Sequence, residues 1–506
     1  MNIPLVVLGS TYLIDLLLLV GVTTWQRPRL RALIVGVNAL AATSASAYIV
    51  GSQPGIFSGV IFALALYRVL NYTRIALGRM NHHALLEVGR RSIIWLDGLQ
   101  LLAIGLSVAC HLVGPHMNAG YVWYAWAAIT VFAGLVALRG TVRTLSRSTP
   151  GPQRDGMTRL ATNELPTITV AVSSHGNRAA LVACLDALTQ SSYPKLEILA
   201  MDDGPQPKRT PEIIKTLAQK GVRFIEPATP RDGWLARNQA YDQLARESAS
   251  DYIIFMGADV RLEAAAVRAL IEHAHARGKA MLSVAPLGDR ARGTSLAQTL
   301  RYIWEFVPPR RTFGRPPVLS NLWLIERKTL NKLGGLSAVK RAVTPEAYFA
   351  QRLVAKDAYG FVRATPELGV IVSRDATDHF YALLRSRYPA LHRHIEFAAL
   401  LSCGYVFVIL APAVIIVAWV AGAAPPAAGL IALGAYGAFT LSSALVVWRC
   451  RLGSWIAGLI AYPGAALLDL VAVHISLWQY ELGDVTWRDR SAAAAVMQVE
   501  KRLPKF

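Results

Sequence analysis

A chain of 506 residues that is 54% hydrophobic, with a mean hydropathy of +0.36, is too apolar for an ordinary soluble protein. The formal net charge of +20 would suit nucleic acid, acidic lipid or a phosphorylated substrate. The sequence has no nucleic-acid-binding motif and much of its arginine flanks apolar runs, so the charge indicates membrane topology and contact with membrane lipids. The four cysteines form no Cys-x-x-Cys pair and indicate neither a disulfide framework nor a zinc site.

Eight apolar segments account for this composition. By the length that crosses a bilayer, they lie at about 4–24, 31–50, 54–72, 93–114 and 121–138, and then at about 397–421, 427–448 and 455–478. The first segment has no basic region before it and no clear cleavage site, so it is predicted to be a retained helix and not a signal peptide. The sequence therefore predicts an N-terminal membrane region over 1–144 and a C-terminal membrane region over 397–480.

Basic residues alternate from loop to loop in the N-terminal membrane region. Arginines follow the first, third and fifth segments, whereas the loops near Gln53 and Pro115 carry no Lys or Arg. Under the positive-inside rule the N-terminus lies outside, and everything after residue 139 lies in the cytoplasm. We therefore expect a multi-pass protein of the inner (plasma) membrane with a cytoplasmic soluble domain.

Two placements are open for the basic tail, 481–506. Arg449 and Arg451 put the loop before the last segment inside, so that segment should leave the tail outside, yet residues 487–490 are basic again. Either the tail is external, or the Pro463-Gly464 pair makes the last segment re-entrant or tilted.

Ionisable residues inside the apolar segments are costly in lipid and could line a path for a polar head group. They are Asp15, Arg68, Asp97, Asp469 and His474. For Arg68 and Asp97, which lie near segment ends, snorkelling to the membrane surface is the simpler expectation.

Between the membrane regions lie a polar linker, 145–166, and a soluble α/β region, 167–377. Strands are predicted over 167–173, 196–201, 222–225 and 252–256, in alternation with helices such as 179–190 and 262–278. This alternation predicts a parallel, doubly wound sheet with its ligand site at the carboxyl ends of the strands. Residues 378–396 mix apolar and basic residues at helical spacing, which predicts an interfacial helix.

Polar motifs follow three of these strands. Ser-Ser-His-Gly-Asn follows the first strand over 173–177, Asp202-Asp203-Gly204 follows the second, and Gly257-Ala258-Asp259 follows the fourth. Asp259 is placed to hold a metal or a sugar nucleotide, although a lone aspartate after a strand can equally be a solvated turn residue.

The ordered set of motifs over 167–388 resembles the family 2 glycosyltransferases, which are inverting enzymes of the GT-A fold. It is closest to the membrane-integrated branch that includes cellulose and hyaluronan synthases and ceramide-glucosyltransferase-like proteins. The resemblance implies an α/β GT-A domain inserted between transmembrane helices. It also implies a nucleotide-sugar donor, UDP- or GDP-linked, and Mg²⁺ or Mn²⁺ as cofactor.

The resemblance also implies which residues bind the donor. Those next to the nucleoside are Ser173, His175, Asn177, Asp202 and Asp203. The Gly233–Asn238 loop resembles the element over the diphosphate, and it implies contacts by Gly233, Arg237 and Asn238. Gly257-Ala258-Asp259 aligns with the metal-binding Asp-x-Asp motif, so Asp259 is the implied metal ligand. Because Gly257 replaces the first aspartate, metal binding is expected to be weak.

On the acceptor side, the stretch from Thr344 to Leu353 falls where the family has Glu-Asp-x-x-Leu-x-x-Arg-Leu. Glu346 then takes the position of the general base. Arg387 and Tyr388 resemble the end of the Gln-x-x-Arg-Trp motif, with Leu384 in place of glutamine, and Arg387 is implied to face the diphosphate.

The resulting prediction is an inverting glycosyltransferase that moves a sugar to a lipid-linked or polysaccharide acceptor at the membrane. The alternative is a non-catalytic relative that binds a nucleotide or partner subunits within an assembly complex. Three departures favour that alternative: Gly257, the Pro345-Glu346 pair and Leu384. A lipid or polysaccharide transporter is a third reading, against which the intact Asp-Asp-Gly and the large soluble domain argue.

The predicted topology can be tested by cysteine labelling in a variant that lacks the native cysteines. A cysteine at position 79 should react with a membrane-impermeant maleimide only after the cells are opened, because the loop is expected to be cytoplasmic. A cysteine at Gln53 is the matched control and should react on intact cells. Labelling of position 79 from outside intact cells would contradict the topology.

Overall fold

The computed structural model describes residues 3–20, 28–52, 56–76, 83–113, 119–148, 160–174, 176–202, 218–229, 231, 233–289, 295–308, 316–391, 393–482, 486–487 and 490–491. The chain divides into two compact units. Unit 1 comprises Met1–Thr130, Arg393–Leu433 and Val473–Val485, and unit 2 comprises Val131–His392, Gly434–Ala472 and Thr486–Phe506.

The helices and strands are numbered in chain order within the described residues. The helices are α1 (Ile3–Val20), α2 (Pro28–Ser52), α3 (Ile56–Ala76), α4 (His83–Val113), α5 (Ala119–Arg147), α6 (Arg178–Thr189), α7 (Ala236–Glu247), α8 (Ala266–Ala276), α9 (Leu296–Phe306), α10 (Arg327–Lys332), α11 (Pro345–Val354), α12 (Ala376–Arg387), α13 (Ile395–Gly404), α14 (Ala411–Val420), α15 (Pro426–Arg449) and α16 (Trp455–Glu481). The strands are β1 (Ile168–Ser174), β2 (Leu196–Asp202), β3 (Val222–Phe224), β4 (Tyr252–Gly257), β5 (Val260–Leu262), β6 (Met281–Ala285), β7 (Leu287–Gly288), β8 (Leu322–Glu326), β9 (Tyr359–Arg363), β10 (Val370–Val372), β11 (Thr486–Trp487) and β12 (Arg490–Ser491).

Long apolar helices flank the α/β region on both sides in the sequence. Six helical stretches of the described chain are long and apolar enough to cross a membrane: Leu33–Ser52, Arg91–Ala109, Gly120–Arg147, Ile395–Val420, Pro426–Arg449 and Trp455–Glu481. The apolar stretch Ile3–Leu17 is shorter, and α3, expected as a further span, is not among the six. Helix α16 continues through Pro463, so it lacks the break on which the re-entrant alternative depends.

Unit 1 buries a charged cluster among its helices. Arg68 is 1% exposed, and its guanidinium lies 2.6 Å from the carboxylate of Asp15 and 3.0 Å from that of Asp97. It also donates a 2.7 Å hydrogen bond to Oε1 of Gln100. The expectation that Arg68 snorkels to the membrane surface is therefore wrong. Its charge is satisfied inside the unit by two carboxylates, which lowers the cost of burying it.

The core of unit 2 is a seven-stranded sheet in the order β3-β2-β1-β4-β8-β6-β9. The four strands predicted from the sequence correspond to β1–β4, and all of these run parallel to their neighbours within that group. β1 is buried along its whole length, as expected of a strand covered on both faces. The apolar stripe predicted for the first helix is buried on α6: Leu181, Cys184, Leu185 and Leu188.

The sheet is mixed, and not wholly parallel as the sequence predicted. β8 runs antiparallel to both β4 and β6. This register sets Phe255 opposite Trp323, and their rings stack at 4.3 Å between centroids. Trp323 in turn stacks on Phe349 of α11 at 5.9 Å. The aromatic layer fills the sheet–helix interface and stabilises the pairing that local patterns could not predict.

A second, three-stranded sheet has the order β5-β10-β7. The stretch predicted as a helix over 262–278 begins as β5, and α8 starts only at Ala266. β5 pairs antiparallel with β10, with Val260 opposite Val372. This pairing brings the residues just before β5 next to those just after β10. The mixed α/β core with a small second sheet, flanked in sequence by apolar helices, is the GT-A-like arrangement that the sequence motifs implied.

Helix α12 ends at Arg387, so the predicted interfacial helix over 378–396 is interrupted. A short 3₁₀ turn, Pro389–Leu391, follows it, and α13 starts at Ile395. Proline lacks the backbone N–H that would continue the helix, which explains the break.

Small residues allow α15 and α16 to approach closely within unit 2. A Cβ atom added to Gly458 would lie 2.6 Å from the Cα of Ala444, a backbone atom that cannot turn away. Close backbone contact at small residues is a common basis for packing between apolar helices.

Gly458→Val should therefore destabilise the protein by about 1–3 kcal/mol, the usual cost of overpacking. The matched control is Gly437→Val on α15, where an added Cβ would meet no atom within 4 Å. Thermal unfolding of the purified full-length protein in detergent measures both. Equal midpoints for the two variants would show that the helices do not make this contact.

Candidate active site

Three neighbouring strands of the main sheet end together in polar residues. Ser174 at the end of β1 lies opposite Asp202 at the end of β2, and Ser173 lies opposite Gly257 at the end of β4. The carboxyl ends of the parallel strands thus form one edge of the sheet, where α/β folds bind ligands.

The turn after β1 is held by local hydrogen bonds. Asp202 Oδ1 accepts a 2.8 Å bond from the amide of Gly176, and Asn177 caps α6 by accepting a 3.1 Å bond from the amide of Ala180. Among the residues predicted to contact the nucleoside, Ser173 and Asn177 line the adjoining cavity. His175 and Asp203 lie outside the described residues.

A cavity of about 800 Å³ opens at this edge of the sheet. Its described walls come from the strand ends, α9, α12 and the loops around Ser320, Thr344 and Arg374. Guanidinium groups outnumber carboxylates on these walls, so the cavity favours an anionic ligand. The charged residues are Arg237, Arg261, Arg301, Arg374, Arg385 and Arg387, and Asp259, Glu305, Asp375 and Asp378.

Asp259 is paired with an arginine. Its Oδ2 lies 2.9 Å from the guanidinium of Arg374, and its backbone carbonyl accepts a 2.8 Å bond from the amide of Ser373. Burial alone would raise the pKa of Asp259, but Arg374, followed by Arg237 and Arg301, lowers it below the ordinary value. The carboxylate is therefore ionised, and a guanidinium already neutralises it.

His379 on α12 senses the same charges. Burial, followed by the positive charges of Arg374 and Arg301, lowers the pKa of His379 to about 3. The imidazole is neutral at physiological pH, and the potential around it disfavours a further positive charge.

Within the loop predicted to contact the diphosphate, Arg237 is the residue that lines the cavity. Its guanidinium donates a 2.6 Å bond to the carbonyl of Ser320. The amide of Asn238 donates 2.8 Å bonds to the carbonyls of Val339 and Ala342 and so holds a neighbouring loop. Gly233 is absent from the cavity lining, so in this structure Arg237 alone of the three predicted residues faces the ligand space.

Glu346 occupies the first turn of α11 and has no exposed surface. Thr344, two residues before it, lines the cavity, whereas Glu346 is not part of the described lining. The negative charge of Glu346 is one of the interactions that raise the pKa of Arg237 despite its burial. In this structure the carboxylate thus supports a cavity-lining arginine.

Arg387 is engaged by a buried carboxylate. Its guanidinium forms a two-pronged ion pair with Asp469 of α16 and lies 3.7 Å from the ring centre of Trp304. The indole of Trp304 donates a 2.9 Å bond to the same carboxylate. This geometry does not support the implied contact of Arg387 with a diphosphate. Tyr388 is fully buried and does not line the described cavity.

Sequence reasoning missed three cavity residues: Arg301, Trp304 and Arg374. Arg301 lies on the amphipathic helix α9, where a single arginine gives no local signal. Arg374 follows β10, and only the pairing of β10 with β5 brings it to Asp259.

Comparison with known families decides the class of this domain. Residues 169–332 match the model described as Glycosyl transferase family 2. The chain contains a family 2 glycosyltransferase domain. The match makes the protein a glycosyltransferase by class, and it includes Asp259 and Arg301. It ends before Glu346, Arg374 and Arg387.

Solved structures with a similar fold are also glycosyltransferases. A mannosyltransferase from Pyrobaculum calidifontis, solved with GDP-Man and Mn²⁺, is 17% identical with a TM-score of 0.43, covering 68% of this chain and 99% of that chain. Glucosyl-3-phosphoglycerate synthase from Mycobacterium tuberculosis, solved with Mn²⁺, UDP and phosphoglyceric acid, is 15% identical with a TM-score of 0.32, covering 49% and 84%. TarS residues 1–349 from S. aureus, solved with UDP-GlcNAc, is 11% identical with a TM-score of 0.31, covering 63% and 92%. No curated protein matches the sequence significantly.

Removing one partner of the Arg387–Asp469 pair should strand a buried charge. We expect Arg387→Met and Asp469→Leu each to cost about 3–5 kcal/mol of stability, and the double variant to be more stable than either single variant. Thermal unfolding of the full-length glycosyltransferase in detergent measures this. Arg385→Met, on the same helix, is the matched control. Additive losses in the double variant would contradict a direct pair.

Proposed function

We propose that this glycosyltransferase moves a sugar, with inversion, from a UDP- or GDP-sugar to a lipid-linked or polysaccharide acceptor at a membrane. The observation that carries the proposal is the arginine-rich cavity at the carboxyl ends of β1 and β4, inside the family 2 domain. A nucleoside diphosphate is an anion of suitable size and charge for such a cleft.

The donor is assigned to the strand-end side of the cavity. Ser173, Asn177 and Asp202 are proposed to contact the nucleoside, together with His175 and Asp203. Arg237 reaches the cavity from α7 and is proposed to pair with the diphosphate, since guanidinium suits the geometry of phosphate oxygens.

The acceptor is assigned to the side formed by α9 and α12. Trp304 offers a flat apolar face there, held in place by Arg387 and Asp469. Aromatic rings of this kind suit the apolar faces of sugars and lipids.

The reaction follows from these positions. The acceptor oxygen attacks the anomeric carbon, the bond from that carbon to the phosphate oxygen breaks, and the nucleoside diphosphate leaves with the electron pair. The acceptor proton passes to a base, for which we propose Glu346. This role requires that the acceptor hydroxyl meet Glu346 in the bound complex, because the carboxylate is wholly buried without substrate.

The apolar helices support a membrane setting for the acceptor. Six described stretches can cross a membrane, and the loop charges support a cytoplasmic domain at the inner membrane. Membrane lipids and partner subunits are proposed as further contacts. No step is assigned to a metal ion, since Asp259 is already paired with Arg374.

Glu346→Gln keeps the shape of the side chain and removes its basicity. If Glu346 is the base, transfer by the purified full-length protein should fall by at least roughly 10²-fold, while nucleotide affinity stays within about two-fold of wild type. Transfer is measured by radiolabelled sugar incorporation, and nucleotide affinity by calorimetry.

Glu326→Gln is the control for this experiment, because Glu326 ends β8 and lies outside the cavity lining. A parallel loss of nucleotide binding and transfer in Glu346→Gln would show that Glu346 only supports Arg237. Nucleotide binding without transfer or donor hydrolysis in the wild type, with any UDP- or GDP-sugar, would favour the non-catalytic alternative.

A further inference from the structure

The metal site implied by the family resemblance does not fit the residues of this chain. Gly257 stands where the first aspartate of the Asp-x-Asp motif would lie, so Asp259 is the remaining carboxylate. Among the described residues, no group of three or more His, Cys, Asp or Glu side chains could hold a metal ion. Mg²⁺ and Mn²⁺ prefer several oxygen ligands, and one neutralised carboxylate supplies little of that.

The fold itself holds Asp259 against Arg374. β5 and β10 pair so that Val260 lies opposite Val372, and the backbone bond from Ser373 to Asp259 extends this pairing. Both side chains are largely buried, Arg374 at 22% exposure and Asp259 at 18%. A cross-strand ion pair in such a setting is more strongly determined than one between mobile surface side chains.

Gly257 makes room for this arrangement. A Cβ atom added there would lie 2.4 Å from Oδ1 of Asp259, so the Asp259 carboxylate occupies the space where the side chain of a first aspartate would begin. An aspartate at 257 would force Asp259 to turn, which would disturb its pair with Arg374.

The surrounding charges repel cations and attract anions. Burial, and then the charge of Arg374, lowers the pKa of Arg301, and Arg237 lowers it further. Among the described residues, Arg301 has no carboxylate within ion-pair distance, and it lines the cavity. A divalent cation placed among these groups would meet the same positive potential that keeps His379 neutral.

We infer that Arg374, Arg301 and Arg237 bind and neutralise the donor diphosphate in place of a divalent cation. This inference rests on the proposed function and concerns how its donor is held. As the bond between the anomeric carbon and the phosphate oxygen breaks, the charge that develops on the leaving diphosphate is stabilised by fixed guanidinium groups. Arginine suits this role because it stays charged and can bind phosphate through two N–H groups at once.

The direct test is binding of UDP and GDP to the full-length protein in detergent, with EDTA and with Mn²⁺ or Mg²⁺, measured by calorimetry. We expect at least one nucleotide to bind in EDTA, with an affinity within about three-fold of that in Mn²⁺, because fixed charges carry the contact. Arg301→Ala and Arg374→Ala should each weaken binding in EDTA by about 10–100-fold, the range for a lost charge-assisted hydrogen bond.

Matched variants separate these effects from misfolding. Arg374→Lys keeps a charge and should retain part of the binding, whereas Arg223→Ala removes a surface arginine, paired with Glu197 and Glu247, and should bind as wild type. Gly257→Asp combined with Arg374→Ala restores two carboxylates without the competing guanidinium. Binding by this double variant should become dependent on Mn²⁺.

Two results would overturn the inference, and they are distinguishable. Binding that disappears in EDTA and returns with Mn²⁺ would show that a metal holds the diphosphate, with the proposed function intact. Failure of both nucleotides to bind in either buffer would instead overturn the proposed function and the inference with it.

Discussion

The buried ion pair between Arg387 and Asp469 is the interaction on which the geometry of the cavity depends. It joins α12, which forms one wall, to the apolar helix α16, and Trp304 of α9 completes it through a hydrogen bond and ring stacking. Each charge would be costly to bury alone, so the three side chains are stable only together. The acceptor side of the glycosyltransferase is thereby attached to an element that the sequence marks as membrane-spanning.

A second pair, Arg374 with Asp259, determines the chemistry of the donor side. The family resemblance led us to expect a weakly bound metal at Asp259, and relatives of similar fold have been solved with Mn²⁺. In this chain the guanidinium of Arg374 takes up the carboxylate, and Arg301 and Arg237 add positive charge to the same space. Charges fixed by the fold need no assembly before each reaction cycle, which is the advantage of a preorganised site.

Unit 1 follows the same physical rule with different residues. Arg68 lies buried between Asp15 and Asp97, and Gln100 accepts one of its hydrogen bonds. Charged groups persist inside apolar helices when a partner of opposite sign is within reach. The cluster explains how helix α3 can carry an arginine at its centre.

What the sequence by itself determined was local. The strands β1–β4, the apolar stripe of α6 and the long apolar helices follow from residue periodicity and run length, which depend on near neighbours along the chain. The polar residues at the ends of β1, β2 and β4 could be predicted to meet because parallel strands place their carboxyl ends at one edge. The tertiary structure decided the antiparallel placement of β8 and the partners of the charged groups. Arg387 meets a carboxylate 82 positions away, and Arg374 reaches Asp259 only through the pairing of β10 with β5. Such pairings depend on strand order and helix packing, so a motif can place a charge at the site without revealing which opposite charge will neutralise it.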